Sequence, residues 1–391
     1  TTSLTKRSRA SSTQHQFQPG CDHTMTNHTI QFWQGMPAAE NVELLDATIS
    51  GYQAYRVLSA ALELGLFDWL SEHGPATRHD VAALGINGMF TRGFLAALAD
   101  MGYITFDGGV CANTRITEEL LVSTSPTYQG DLILAAGRET SSWSDLAETL
   151  RNGVERPKTG PRPTHDHLRA VAQRCIRGEL QHVVGLVARH PGFWDARSML
   201  DIGGGHGLYA IALCQENPDL QACVFDLPHV VPLTREYIDR YGMDGRVSAR
   251  GGDILVDDPG RGYDLIIVSH LLYKFRDRLT DVLGKVTESL APGGLLVLNH
   301  LFCTPDCTVS PGAGVAELDR ALMSAGHPLC HPQGLEAVLK RLGYTGITSS
   351  PHETGMGYGV LFCATNGEGA GCCDDGGWTS GCSCGPGGCG N

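Results

Sequence analysis

The alternation of apolar and polar positions divides the chain into a helical half and a half where strands and helices alternate. Ala54 to Leu70 (AYRVLSAALELGLFDWL) carries apolar residues at three- and four-residue spacing, which predicts one buried helix. Shorter helices are predicted from Thr77 to Leu84, with Thr77 as cap and Asp80 in the first turn, and from Thr91 to Met101. Tyr103 to Phe106 and Val110 to Ala112, joined by Asp107-Gly108-Gly109, read as a β-hairpin. Three helices and a hairpin make a winged-helix-like unit. Residues 126–195 continue mostly helical, broken by the Pro-rich stretch from Pro157 to Pro163. Beyond them come short aliphatic runs, each followed by a helical pattern: Ser198 to Ile202, Ala222 to Phe225, Val247 to Gly251, Tyr263 to Ser269, Leu295 to His300 and Gly359 to Ala364. That alternation implies crossover connections, so the expected fold class is α/β with a doubly wound, mainly parallel sheet.

A length of 391 residues suits two domains. The expected division is a leader at 1–27, a helical domain at 28–195, a sheet domain at 196–366 and a Gly/Cys-rich flexible tail at 367–391. The formal charge of −13, from 29 Lys and Arg against 42 Asp and Glu, argues against a nucleic-acid or anionic-membrane surface. The helices of the winged-helix-like unit are acidic or neutral where DNA reading would need Lys and Arg, so that role is rejected. No apolar run reaches the roughly 18 residues of a membrane span. The leader carries Lys6, Arg7 and Arg9, many Ser and Thr, and no acid before Asp22. That is the composition of a transit peptide or of a leader with no targeting role, so the expected compartment is the cytoplasm, or a mitochondrion or chloroplast.

The first strand of the second half runs into Leu200-Asp201-Ile202-Gly203-Gly204-Gly205-His206-Gly207, with a helix from about Leu208. Glycines at such a turn let the backbone approach a ligand and aim N–H groups at it. The next strand ends in Asp226-Leu227-Pro228, where a carboxylate suits a ribose diol. The third leads into Gly252-Asp253-Ile254, where an acid can meet an adenine amino group. Three such sites at successive strand ends form one binding edge. A NAD-dependent dehydrogenase would also have a glycine turn, but the spacing here is G-G-G-x-G and no second catalytic domain follows the sheet.

LDIGGGHG, VFDLP, GGDI and the later LAPGGLLVLNHLF resemble class I S-adenosylmethionine (SAM) methyltransferases, and more narrowly the plant phenolic, hydroxyindole and polyketide O-methyltransferases. The resemblance covers roughly residues 40–366. It implies a Rossmann-like SAM-binding domain behind an N-terminal winged-helix-like dimerisation domain, hence a homodimer, and a small-molecule acceptor. It also implies that Asp201, Gly203 and Gly205 with neighbouring backbone cradle the methionine part of SAM. Asp226 and Leu227 would hold the ribose, Asp253 and Ile254 would flank the adenine, and Ser269 would face the cofactor.

One position departs from the family. Where its O-methyltransferases place a proton-removing His, in a segment like H-D-W-x-D, this chain has Tyr273-Lys274-Phe275-Arg276-Asp277. A phenol is a poor base at neutral pH. His270 is the other candidate: it serves if the backbone turns it into the pocket, and otherwise packs behind the sheet. A thioether sheds no proton on methylation, so the departure favours S-methylation. The related methylthiohydroxybutyrate S-methyltransferases, which make the precursor of dimethylsulfoniopropionate, are similar to this family, and that similarity implies a thioether acid as acceptor. The alternatives are an acidic phenol or hydroxyl acceptor, and a protein that kept the fold without the reaction. Arg138, Trp143, His300, Arg320 and Met323 are candidates for the acceptor pocket, as aromatic walls or as a guanidinium for an acidic group.

The tail carries Cys372, Cys373, Cys382, Cys384 and Cys389 in a Gly-rich stretch that cannot form a core. Closely spaced thiols collect soft ions such as zinc, copper(I) or trivalent arsenic, although the spacing matches no standard zinc module. The tail could also be a modified peptide substrate, or an unstructured appendage outside catalysis. The remaining cysteines, such as Cys214, Cys223 and Cys363, read as small core hydrophobes.

Overall fold

The computed structural model describes residues 39–138, 141–153, 163–304, 308–324, 331–354 and 357–367. The leader at 1–27 and the five tail cysteines lie outside the described residues. The chain falls into two units, Thr1–Gln53 and Ala54–Asn391. The described part of the first unit is the beginning of the helix Ala39–Glu63, on which Leu44, Leu45, Ile49 and Tyr52 are exposed.

In the second unit, the run read as one helix from Ala54 to Leu70 is two, the end of Ala39–Glu63 and then Leu66–His73. Gly65 makes the break, because its φ of 66° is a left-handed conformation that ends the first helix. Arg78–Ala82 is capped as expected by Thr77, which forms a capping box with Asp80. Gly88–Asp100 starts three residues earlier than the pattern suggested, because Asn87 accepts the Met89 N–H at 3.0 Å and caps it there. Strands β1 (Ala76–Thr77), β2 (Ile104–Asp107) and β3 (Val110–Asn113) form an antiparallel sheet in the order β1-β3-β2, with β2 and β3 as the expected hairpin. Leu66, Phe67, Leu95, Leu98 and Ile104 fill the core of this part.

The large sheet has β4 (Ser198–Ile202), β5 (Gln221–Asp226), β6 (Val247–Gly251), β7 (Tyr263–Ser269), β8 (Leu290–Leu301), β9 (Tyr344–Thr354) and β10 (Gly357–Asn366). Their order is β6-β5-β4-β7-β8-β10-β9, parallel from β6 to β8 and antiparallel at β10 and β9. Helices cover both faces, so both are buried and the strands read as unbroken apolar runs. Alternate residues serve two cores: Met199, Leu265, Ile267 and Val297 one, Leu200, Ile266, Val268 and Leu298 the other.

The sequence pattern missed β9. It is an edge strand, mostly exposed and polar, with Pro351 in it, so no apolar run announces it. The chain leaves β4 in one direction for β5 and β6 and then returns to the other side of β4 for β7. The carboxyl ends of β4, β5 and β7 therefore surround the crevice where open α/β sheets take ligands.

Candidate active site

The glycine turn packs too closely for side chains. A Cβ on Gly203 would press on Leu271 at 2.7 Å, and one on Gly204 would run into the Asp201 carboxyl. Gly203 and Gly205 have φ of 68° and 54°, left-handed values that glycine adopts without strain. Asp226 at the end of β5 ties the turn down: its carboxylate accepts the Gly205 N–H at 2.8 Å and the Leu227 N–H at 2.6 Å. Burial pushes the Asp226 carboxyl up from its ordinary value, and those two N–H groups pull it back in part. Each of its oxygens keeps a lone pair for a ligand hydroxyl.

Asp201 lies beneath the turn, fully buried, and neither carboxyl oxygen has a hydrogen-bond partner. Burial first, and the Asp226 charge second, push it up to about 7, against a smaller opposing pull from the Ala210 N–H. An unpaired buried carboxylate under a glycine cradle suits a positively charged ligand. SAM brings an ammonium and a sulfonium, so these residues fit that cofactor.

Asp253 accepts the Leu255 N–H at 2.9 Å, and its own N–H donates to Asp257 at 2.8 Å. Ile254 is buried, and Lys285 holds this loop by donating to the Ile254 and Leu255 carbonyls at 2.9 and 2.8 Å.

At the end of β7, Ser269 lies opposite Asn299 of β8 and accepts its side-chain N–H at 3.1 Å. His270 follows with a φ of 51°, the one non-glycine residue with positive φ among the described residues. That turn brings its ring to Glu179 of the helix Glu179–Val187, with Nε2 2.5 Å from the carboxylate, and to Tyr273, with Nδ1 2.9 Å from the phenol oxygen. His270 therefore does not pack behind the sheet.

The sequence reading missed Glu179. Its carboxylate also accepts from Asn299 at 2.8 Å and from the Tyr209 hydroxyl at 2.9 Å. Burial alone would raise this carboxyl, but the His270 charge and these hydrogen bonds outweigh it and hold it at about 2. Tyr273 is half-buried, and its oxygen accepts the Leu301 N–H at 2.5 Å. Burial pushes its phenol well above the ordinary value, which rules out ionised Tyr273 as a base at neutral pH.

The residues expected around the acceptor, Met323 aside, are each held by partners of their own. His300 is fully buried, which removes it as a wall of an open pocket. Its Nε2 accepts the Leu272 N–H at 3.1 Å, and its ring stands edge-on to Tyr273 at 5.4 Å, so it supports that side chain from behind. Trp143 donates to Asp319 at 2.8 Å, and Arg174 pairs with the same carboxylate at 2.8 Å. Arg320, next along the helix Gly314–Ser324, is buried and paired with Glu317 at 2.8 Å. Met323 is on that helix, and its side chain lies outside the described residues. Arg138 pairs with Asp166 at 2.5 Å and lines a separate cavity of about 500 Å³ with Tyr55, Arg56, Ser59 and Glu63.

Comparison with known proteins shows the family. The family model of the O-methyltransferase domain matches residues 163–345. The chain is 32% identical over 286 residues to the N,N-dimethyltransferase OxyT of Streptomyces rimosus, covering 70% of this chain and 81% of that one. It is 28% identical over 292 residues to the 3-hydroxy-5-methyl-1-naphthoate 3-O-methyltransferase of Streptomyces sahachiroi, covering 72% and 81%. Human N-acetylserotonin methyltransferase in complex with SAM shares the fold, with a TM-score of 0.69 at 21% identity over 85% of this chain and 99% of that one. On this likeness the chain belongs to the O-methyltransferase-domain family and is a SAM-dependent methyltransferase.

Proposed function

We propose that the protein methylates the hydroxyl oxygen of a small-molecule acceptor, with a phenol as the acceptor class. The observation that carries this reading is the Glu179–His270 pair at 2.5 Å, at the carboxyl end of β7. A thioether sheds no proton, and a carboxylate–imidazole pair beside it would have no task. A hydroxyl must lose its proton as the methyl group arrives, and such a pair takes it up.

S-methylation followed from the absence of the family's His at Tyr273, yet His270 stands three residues earlier with a carboxylate behind it. A thioether acid would also need a cation, and Arg138, Arg174 and Arg320 are paired with Asp166, Asp319 and Glu317. A relative named for transfer to the 3-oxygen of a hydroxynaphthoate supports an aromatic hydroxyl.

SAM supplies an electrophilic methyl group on sulfur. Gly203, Gly205 and Asp201 would hold its amino-acid end, Asp226 and Leu227 the ribose, and Asp253 and Ile254 the adenine. The hairpin sheet with its helices supports a winged-helix-like N-terminal domain, and exposed Leu44, Leu45, Ile49 and Tyr52 on the helix Ala39–Glu63 support pairing of two copies.

The test is incubation of the full chain with SAM and either catechol or 2-hydroxy-4-(methylthio)butanoate, with products identified by mass. The expected result is methylation of a catechol oxygen and none of the thioether. Methylation of the thioether alone would overturn the proposal.

A further inference from the structure

We infer that Tyr273, His270 and Glu179 form a proton relay that replaces the single base of the family, the acceptor hydroxyl passing its proton to Tyr273 as Tyr273 passes its own to His270. The inference rests on the O-methylation reading and names the groups that move its proton.

The hydrogen bonds of the three residues fit a relay when the His270 ring carries its single hydrogen on Nε2. The Leu301 N–H can only donate, so the Tyr273 oxygen accepts from it. In that tautomer Tyr273 directs its hydrogen at His270 Nδ1, 2.9 Å away. The other ring nitrogen, Nε2, carries its hydrogen toward Glu179, a carboxylate that can only accept. The phenol oxygen has accepted one N–H and retains a second lone pair for an acceptor hydroxyl.

As the acceptor oxygen bonds to the methyl carbon, its O–H bond breaks toward the Tyr273 oxygen, and the Tyr273 O–H bond breaks toward His270 Nδ1. The methyl–sulfur bond breaks with its electrons left on sulfur, so the sulfonium becomes a neutral thioether. The positive charge reappears on the His270 imidazolium beside the Glu179 carboxylate, and charge balances. Tyr273 is never ionised, so its reluctance to ionise is no obstacle. Release of the imidazolium proton to solvent resets the site.

The surroundings hold this line in place. The Glu179 side chain is only 7% exposed and is fixed by Asn299 and Tyr209. His206, His300 and His352 also face His270 electrostatically, and Arg276 and Arg320 act on Tyr273. The left-handed backbone at His270 is strained for a residue with a side chain and is kept only where surrounding contacts impose it. Tyr273 would touch the acceptor; His270 and Glu179 act through it as positioning residues.

Two readouts test the relay on the full chain. In ¹⁵N-histidine NMR with S-adenosylhomocysteine present, the His270 signals, identified by their loss in H270Q, should show Nε2 protonated and Nδ1 as acceptor, and Nδ1 should shift in Y273F. A protonated Nδ1, in the neutral ring or in the imidazolium, would overturn the relay. In kinetics, Y273F and E179Q should slow methylation of catechol by about 10²- to 10³-fold. Both should leave 4-nitrocatechol, which arrives ionised, near the wild-type rate. Equal losses on both phenols would mark a structural role and overturn the relay. If neither phenol is methylated, the O-methylation reading fails while the tautomer still decides the relay.

Discussion

The His270 imidazole meets the Glu179 carboxylate at 2.5 Å across 91 residues of sequence, joining the end of β7 to the helix Glu179–Val187. On the proposed reading, that contact gives a chain without the family's His a proton acceptor backed by a buried anion. It also gives the site a signature in stability.

The Glu179 carboxyl is held at about 2 against an unfolded value of 4.5. A depressed carboxyl stabilises the fold above its unfolded pKa, and that stability is lost as pH falls from about 4.5 toward 2. The shift corresponds to about 3 kcal/mol. Thermal melts of wild type and Glu179→Gln should differ most at pH 7, with the gap roughly halved by about pH 3 and closing toward pH 2. A gap that stays constant with pH would show that the carboxylate charge contributes nothing.

Asp201 has the opposite sign. Its carboxyl is pushed up to about 7, so the folded chain binds the proton more tightly than the unfolded one. Stability therefore falls as pH rises from about 4 to about 7 and is level above, by about 4 kcal/mol in all. Asp201→Asn should raise the melting temperature of the ligand-free protein at pH 8, with a much smaller gain at pH 5, while weakening binding of SAM. A variant that melts at or below wild type at both pH values would refute the unpaired carboxylate.

Asp226→Ala removes the acceptor that orients the Gly205 and Leu227 N–H groups as well as the acid proposed to hold the ribose. Calorimetric titration with SAM should show affinity reduced by at least about 100-fold, equivalent to two charge-assisted hydrogen bonds. Retained affinity would place the cofactor elsewhere.

Two glycine substitutions should act in opposite directions. Gly204→Ala drives a methyl group into the Asp201 carboxyl and should cost about 1–3 kcal/mol together with SAM binding. Gly185→Ala lies inside the helix Glu179–Val187, with nothing within 4 Å of its Cβ, and should stabilise by about 0.5–1 kcal/mol. Denaturant melts check both, and equal effects would contradict the packing described for the turn.

The glycine turn and the acids proposed for the cofactor were legible because each is local. Gly203 to Gly207, Asp226 and Asp253 each sit at the end of a strand whose apolar run is plain in the sequence. The parallel strands were legible for the same reason. Polar edge strand β9 was not, nor was the break at Gly65 inside an apolar helical pattern. Glu179 could not be found locally, since it is one acid in the first turn of a helix and its partner lies far along the chain. The available signal was Asn299-His300, two polar residues closing the apolar strand Leu295 to Leu298, which marks a buried polar network without naming its members. His270 depended on a backbone turn that no periodicity encodes.

The most direct test of the central claim is a double-mutant cycle on catechol methylation with E179Q, Y273F and the double variant. Residues that act as one relay lose their effect together, so the double variant should be no slower than the worse single one, about 10²- to 10³-fold below wild type. Losses that multiply would contradict the relay and leave Glu179 and Tyr273 as independent structural supports.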